Sequence, residues 1–245
     1  WCVMLSYIKV SISNNPYDGS IDIDVEPMLD TVENTFSITV SRRIVDEGSW
    51  EDVYTKEILT IEEATFKLKD VLAVCGTNYH YNVEIYEGNS FVESQMYENV
   101  RCQFDGLFIG DFNKSYVAGS NFKTDYKVNR IVEYVTTLAS KYPFAVSNAS
   151  VNYITGTSTG LFLPTTPDKR KFERDYYSKY TDEVMSFLSD GGEKILKTHD
   201  GHIWYVLIDA NPQQVNSGFW RANDIQFSWT EIGEVPVSGM IEVGE

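Results

Sequence analysis

The first hundred residues alternate apolar and polar side chains over short runs, and this pattern restricts the fold more than any other feature. The clearest runs begin at Ile21, Phe36 and Tyr79, and residues 91–104 supply a return strand. Alternation at every second position puts one set of side chains on a single face of a strand. Because turn residues bound each run and no helical period separates them, the pattern predicts a β-sandwich of about 100 residues.

The charge of the chain limits its partners. Its 245 residues include 20 Lys and Arg against 36 Asp and Glu, for a formal charge of -16. This excess repels both a phosphate backbone and an anionic bilayer, so nucleic acid is not expected as a partner. A hydrophobic content of 42% is enough for a packed core. No apolar run approaches the roughly 20 residues that span a bilayer, so we expect no membrane insertion.

The start of the chain and its cysteines favour a reducing compartment. The segment 1–10 lacks the basic and long apolar stretches of an export signal, and it opens on Trp1, so Met4 is a candidate for the true start. Cys2, Cys75 and Cys102 have no C-x-x-C spacing, so neither a zinc knot nor a disulfide framework is expected. Buried thiols are the default, and Cys75 and Cys102 can pair only if their strands adjoin.

The second half, 104–245, reads as a β-rich domain, barrel-like or split-barrel-like, that carries one helix. Residues 131–135 are rich in β-branched side chains, which favours a strand. A helix is predicted near 168–189, where aromatic and aliphatic residues recur at four-residue spacing before Gly191. A hairpin is predicted around Asp200-Gly201, and a final strand at 225–229. The domains are therefore 1–103 and 104–245.

One motif resembles a catalytic nucleophile. Gly156–Gly160 matches G-x-S-x-G, with Ser158 at its centre. The residues that could complete a triad are His199, His202, Asp182, Asp190 and Asp200. Such a serine lies between a strand and a helix, because the helix N-terminus and a backbone N–H stabilise the oxyanion. Here the motif leads into an extended segment, so a β-connection is favoured and a serine esterase with Ser158 is kept as an alternative.

Two polar groups have the composition of metal sites. Asp18, Asp22, Asp24 and Glu26 resemble a calcium loop, but the glycine is misplaced and the intervening apolar residues put the acids on one side of a strand. His199, Asp200 and His202 flank a two-residue turn, where two imidazoles and one acid make a poor zinc site. A solvated strand face and a hairpin tip are favoured, and no metal or cofactor is expected.

The five tryptophans are candidates for a sugar-binding face. Trp204 and Trp229 lie in apolar strands and are expected in the core. Trp50 lies in a polar stretch and Trp220 lies beside Gly218, so these two are expected to reach solvent. A carbohydrate-binding or adhesive module that uses Trp50 or Trp220, with a host-surface glycan as its ligand, is therefore the leading alternative function.

The segment Gly76–Val83, Gly-Thr-Asn-Tyr-His-Tyr-Asn-Val, resembles the G-T-x-Y-x-V-x-V strand of fibronectin type III modules. In that family the first tyrosine ties a loop to the sheet, which implies that Tyr79 is the corner residue here. The run Ser37–Arg43, followed by Trp50, then resembles the central strand and its partner. The usual early tryptophan is absent, with Ile23 near its place. The resemblance implies an N-terminal fibronectin III-like β-sandwich.

The C-terminal half resembles structural proteins of bacteriophage tails and baseplates. Five short blocks agree in order: a tyrosine-proline strand at 140–148, a G-x-x-x-G hairpin at 152–164, a helix, a lysine-bearing strand at 187–197 and a D-G-x-x-W strand at 200–208. The end at 227–233 is also similar. The resemblance covers about Phe104 to Gly233. It implies a distal-tail or tail-fibre-adaptor role in the virion, after synthesis in the host bacterial cytoplasm, with no catalytic residues.

The sequence therefore predicts a structural component of a phage tail or baseplate that acts as an adaptor or attachment protein. Its expected partners are copies of itself and other tail proteins, since closed symmetry multiplies one contact patch into an assembly. The apolar ends are candidate contact segments that would otherwise expose aliphatic surface. The candidate interaction residues are Met4, Leu5, Trp50, Trp220, Met240 and Ile241. Disorder of the two ends is the competing interpretation.

Overall fold

The computed structural model describes residues 8–28, 35–60, 62–138, 141–163, 174–209, 212–216, 222–236 and 240–243. Over these residues the chain forms fifteen strands, one 3-10 turn at Glu62–Ala64 and one α-helix. The predicted fold class, mainly β with one helix, is confirmed. None of the helical segments in these ranges is long and apolar enough to cross a membrane.

The chain divides into two compact units that are discontinuous in sequence. The first unit comprises Trp1–Val117, Lys197–Ile203 and Val235–Glu245. The second unit comprises Ala118–Leu196 and Trp204–Glu234. The sequence-based domains, 1–103 and 104–245, are continuous stretches, and their independence stays a prediction.

Seven strands in the first hundred residues form two antiparallel sheets. They are β1 (Ile8–Asn15), β2 (Ser20–Pro27), β3 (Phe36–Ile44), β4 (Glu51–Ile58), β5 (Phe66–Asp70), β6 (Asn78–Glu87) and β7 (Ser90–Arg101). One sheet contains the order β1-β2-β5, and the other has the order β4-β3-β6-β7. The period-two pattern of the sequence supplies the core: Ile21, Ile23 and Val25 of β2 are buried together with Val40 and Val83.

A buried ion pair lies within this core. The Arg42 Nη1 donates to both Asp70 oxygens at 2.8 and 2.7 Å, and the Tyr81 hydroxyl donates to Asp70 at 2.7 Å. The backbone N–H of Leu72 donates to the same carboxylate at 3.0 Å. Burial opposes the charge on Arg42, but Asp70 holds its pKa above the ordinary value. Both Asp70 oxygens accept hydrogen bonds, which a buried carboxylate requires.

A second buried cation, Lys197, lies in the segment Lys197–Ile203 of the first unit. Lys197 is fully buried, and its Nζ donates to the carbonyls of Gly19, Val71 and Ala73 at 2.6, 2.9 and 3.2 Å. The ammonium also lies 4.9 Å from the ring centroid of Phe108. Burial lowers the pKa of this lysine. Lys197 thereby ties residues 197–203 to the β1-β2-β5 side of the unit.

The remaining large sheet contains seven strands and closes into a barrel. They are β8 (Leu107–Gly110), β9 (Ser115–Val135), β10 (Phe144–Phe162), β11 (Glu193–Thr198), β12 (Ile203–Ile208), β13 (Gln213–Asn216) and β14 (Asn223–Gly233). Their order is β10-β9-β8-β11-β12-β14-β13. Pairing of β10 with β14 closes a six-stranded barrel and leaves β13 outside it. The predicted strand at 131–135 lies in β9, and the predicted strand at 225–229 lies in β14.

The α-helix of the second unit, α1, spans Arg174–Leu188. Val184 and Leu188 are buried, which agrees with the predicted apolar stripe at four-residue spacing. Gly191 follows with φ +75°, the left-handed conformation that commonly ends a helix. The predicted start of the helix near residue 168 lies outside the described residues.

The last strand, β15 (Met240–Val243), belongs to the first unit. It pairs antiparallel with β5, so the first sheet has the order β1-β2-β5-β15. Met240 is half-buried and packs against the apolar core of that unit. The alternation of apolar and polar residues does not predict the partner of this strand, because a four-residue pairing with a distant strand leaves no local signal.

Candidate functional site

The G-x-S-x-G motif packs against the side chain of a tryptophan. Gly156 and Ser158 lie in the middle of β10, opposite Trp229 and Phe227 of β14. The indole Nε1 of Trp229 donates to the Ser158 Oγ at 3.0 Å, and a Cβ on Gly156 would lie 2.4 Å from the indole Cζ2. Ser158 is completely buried in an extended strand. The strand–turn–helix conformation that a nucleophilic serine needs is therefore absent at this position, and the structure contradicts the esterase alternative.

The predicted hairpin tip at 199–202 is confirmed. The Thr198 N–H donates to the His202 carbonyl at 2.9 Å, and Gly201 has φ +90°. The His202 Nε2 lies 3.9 Å from an Asp200 oxygen, and the His199 N–H donates to the Gly106 carbonyl at 3.1 Å. Within the part of the chain that the structure describes, no three His, Cys, Asp or Glu side chains group as metal ligands.

The acidic residues at 18–26 accept hydrogen bonds from their own turn and pair with lysines. The Ser20 N–H and hydroxyl donate to Asp18 at 2.9 and 2.6 Å, and the Lys69 Nζ donates to Asp18 at 2.7 Å. Lys9 pairs with Glu26 at 2.9 Å. Despite burial, which acts in the opposite direction, hydrogen bonds from Lys69 and Ser20 lower the pKa of Asp18. Asp22, Asp24 and Glu26 thus lie on the polar, outer face of β2, as predicted, whereas Asp18 lies in the turn before the strand and is largely buried.

The predicted buried thiols are confirmed for Cys75 and Cys102, while Cys2 lies outside the described residues. Both cysteines are free thiols. The Cys102 Sγ donates to the carbonyls of Gly19 and Ala73 at 3.2 and 3.4 Å. Burial raises the pKa of Cys102 to about 12, so the thiol is inert at neutral pH.

Of the candidate interaction residues, the structure describes Trp50, Met240 and Ile241. Trp50 reaches solvent, and the guanidinium of Arg43 lies 4.8 Å from its ring centroid. Met240 and Ile241 are half-buried in β15. Met4, Leu5 and Trp220 lie outside the described residues. The roles of these six residues in binding stay predictions.

A cleft of about 440 Å³ opens in the first unit next to Trp50. Arg43, Glu47 and Glu51 contribute its polar wall, and the Arg43 Nε is buried without a hydrogen-bond partner in the described residues. The other arginine of the cleft, Arg42, is paired with Asp70. The positive charge of Arg43 is therefore outweighed by the negative charges of Glu47 and Glu51. The cleft has no net positive charge and does not favour an anionic ligand.

The feature that the sequence analysis missed is a long hairpin of the second unit. Strands β9 and β10 comprise 21 and 19 residues, whereas β10 pairs with β14 only over Thr155–Gly160. Beyond that point β10 pairs with β9 alone, as in the register Ile154↔Val128 and Phe144↔Val135. We define residues 126–154 as the distal hairpin; its first two residues, Tyr126 and Lys127, still lie opposite residues of β10 that pair with β14. Eight residues of β9, from Val128 to Val135, lie beyond the barrel pairing, and at a rise of about 3.3 Å per residue they span roughly 26 Å.

The distal hairpin exposes apolar side chains on both of its faces. Consecutive residues Tyr134 and Val135 point to opposite faces and are both exposed. The exposed large apolar residues of the distal hairpin are Tyr126, Val128, Val132, Tyr134, Val135, Leu138, Tyr142, Phe144 and Val146. A soluble monomer seldom exposes an apolar patch of more than a few hundred Å². The hairpin is therefore the strongest candidate for a contact surface.

The distal hairpin also differs in charge from the rest of the chain. Its charged residues are Lys127, Arg130, Glu133 and Lys141. Three basic residues against one acidic residue give it a charge of +2, in a chain whose total is -16. The other residues together therefore carry -18.

No family model matches the chain, and no curated protein matches it. Several chains of solved structures align with part of it, including two from gene transfer agent particles. One is the virion of a native gene transfer agent particle, with 14% identity and a TM-score of 0.34 over 57% of this chain and 96% of that chain. The other is the tail of an empty gene transfer agent particle with C6 symmetry, with 17% identity and a TM-score of 0.35 over 54% of this chain and 94% of that chain.

Proposed function

We propose that this protein is a non-enzymatic structural component of a phage tail or baseplate, located in the virion, that assembles with copies of itself and with other tail proteins. The observation that carries the proposal is the distal hairpin, which exposes apolar residues on both faces. The five ordered sequence blocks between residues 140 and 208, with the similar end at 227–233, supply the link to tail proteins. An adaptor or attachment role of the distal-tail type follows from the same blocks.

The hairpin suits assembly for two physical reasons. Burying its aromatic and aliphatic side chains removes apolar surface from water, which contributes about 25 cal/mol per Å². Its strand edges also have N–H and C=O groups beyond the barrel pairing that a neighbouring chain can bind. Its positive charge then selects an acidic surface, and another copy of this chain offers one.

The first unit fits a fibronectin type III module as part of this proposal. Its first seven strands form a three-stranded and a four-stranded sheet in the orders β1-β2-β5 and β4-β3-β6-β7. The Tyr79 hydroxyl accepts a hydrogen bond from the Val74 N–H at 2.9 Å, which is the bond expected of a corner tyrosine. A stable sandwich of this kind would serve as a spacer or a docking platform on the particle surface.

The proposal is tested by the state of association of the purified chain. The variant Tyr134→Ser/Phe144→Ser/Val146→Ser removes three exposed apolar side chains from the distal hairpin. The matched control, Tyr17→Ser/Leu59→Ser/Phe91→Ser, removes three equally exposed apolar side chains from the first unit. By sedimentation velocity, we expect multimers for the parent and the control and monomers for the hairpin variant.

Near-ultraviolet circular dichroism of all three proteins checks that the cores are unchanged. A parent chain that stays monomeric at tens of micromolar, or a hairpin variant that associates as strongly as the parent, contradicts the proposed role of the hairpin. Binding of Trp50 or Trp220 to a glycan stays a separate prediction, and a glycan array with Trp50→Ala and Trp220→Ala controls measures it.

A further inference from the structure

The edge of β5 in the first unit is a binding site for an extended strand. The register pairs Met240 with Asp70, Ile241 with Lys69 and Glu242 with Leu68. Strand β15 thereby covers an edge that would otherwise present unpaired backbone N–H and C=O groups. Because the pairing involves only four residues, backbone hydrogen bonds alone give it little specificity.

Side chains of the last strand supply that specificity. Glu242 accepts a hydrogen bond from the Lys56 Nζ at 2.6 Å and another from the Tyr54 hydroxyl at 2.8 Å. Both donors lie in β4, an edge strand of the opposite sheet, so Glu242 joins the two sheets at their open edge. The bond from Lys56 holds the pKa of Glu242 below its ordinary value. Met240 adds apolar contact with the core.

Strand β15 and the strand before it belong to different units. Strand β14 ends at Gly233 in the second unit, and β15 begins at Met240 in the first unit. The six connecting residues include Pro236, which has no backbone N–H to donate and has a fixed φ. The contacts of β15 described above are thus linked to the second unit through this six-residue connection.

We propose that, in the assembled particle, the β5 edge of one copy receives the β15 strand of a second copy. This inference depends on the proposed homo-oligomer. An exchanged strand makes the same register pairs, the same Glu242 bonds to Lys56 and Tyr54 and the same Met240 contact, so exchange loses no contact energy. The two copies are then joined by strand addition. The added strand is recognised by its Glu242 carboxylate, which lies opposite Leu68 in the register.

The test uses a disulfide between register partners. Two versions of the chain are made, and both contain Cys2→Ser to remove that thiol. One version also contains Ile241→Cys, and the other, which carries a tag, contains Lys69→Cys. Directly opposed residues in an antiparallel pair have Cα atoms about 4.5 to 5.5 Å apart, within the range of a disulfide. After co-expression and mild oxidation, we expect a covalent heterodimer on a non-reducing gel.

Two controls make the result specific. Lys9→Cys, on the β1 edge of the same sheet, replaces Lys69→Cys and should give no heterodimer, since β1 and β15 are opposite edges. Adding Glu242→Lys to the Ile241→Cys chain places a second cation beside Lys56, and we expect at least a fivefold lower yield of the heterodimer.

The outcomes separate this inference from the proposed function. If the chains form multimers but no heterodimer appears, while the double variant Ile241→Cys/Lys69→Cys closes a disulfide within one chain, β15 stays on its own copy and strand exchange is wrong. If sedimentation shows only monomers, both the homo-oligomer and the exchange are wrong. A heterodimer that is found only in the multimer fraction supports both the homo-oligomer and the strand exchange.

Discussion

Gly156 packs closely against the ring of Trp229, and this packing explains a sequence that resembles a catalytic serine motif. Glycine gives clearance for the indole ring, and Ser158 two residues later accepts its N–H. Both residues lie on the same face of β10, since side chains two apart in a strand share a face. The G-x-S spacing here is therefore explained by the packing of one aromatic ring.

The variant Gly156→Ala should be destabilised by about 1 to 3 kcal/mol, because its Cβ would lie 2.4 Å from the Trp229 Cζ2 and 2.8 Å from the Asp125 carbonyl oxygen. Urea denaturation measures the change. Gly119→Ala is the matched control in the same unit, since no atom lies within 4 Å of its added Cβ. Equal stabilities of the two variants would show that the ring does not constrain Gly156.

At the scale of elements, Tyr79 connects β6 to the loop that precedes it. The hydroxyl accepts the Val74 N–H, while the ring is buried in the core of the first unit. Burial raises the pKa of Tyr79, so the hydroxyl is protonated and neutral at physiological pH. The loop after β5 therefore has a fixed position relative to the β4-β3-β6-β7 sheet.

Tyr79→Phe should lower the free energy of unfolding by about 1 to 3 kcal/mol, because it leaves the Val74 N–H without its acceptor. Tyr86→Phe, in the same strand, is the control: its hydroxyl donates to Glu84 at the surface, and we expect a change of about 0.5 kcal/mol or less. Thermal unfolding followed by circular dichroism compares the two. A Tyr79→Phe chain as stable as Tyr86→Phe would mean that the corner bond contributes nothing.

At the scale of the whole molecule, the first unit includes residues from three parts of the chain. Phe104 is buried, and its ring packs against Gly19, where an added Cβ would lie 2.4 Å from it. Lys197 donates three hydrogen bonds to carbonyls of the same unit. A fragment that ends at residue 103 lacks all of these contacts.

We expect fragment 1–103 to protect its β2 and β5 amides less than the full chain does, since burial of Phe104 alone contributes about 1.5 to 3 kcal/mol. Hydrogen exchange measured by mass spectrometry reports the protection. Fragment 1–117 restores Phe104 and should be intermediate. Protection in fragment 1–103 equal to that in the full chain would show that the predicted domain 1–103 is independent.

For several elements, the sequence alone determined which residues form them and which side is buried. Alternation at Ile21, Ile23 and Val25, and the four-residue stripe that ends at Leu188, depend on local geometry, so they can be read without the fold. The hairpin at Asp200-Gly201 was also predictable, because glycine at positive φ marks such turns.

Only the tertiary structure decided where these elements go. Tyr134, Phe144 and Val146 have the apolar character of core residues, yet they are exposed because β9 and β10 extend past their last barrel partner. The pairing of β15 with β5 joins residues about 170 positions apart, and Ser158 lies under an indole from β14. Burial depends on which chain segments meet in space, and local spacing contains no information about such distant partners.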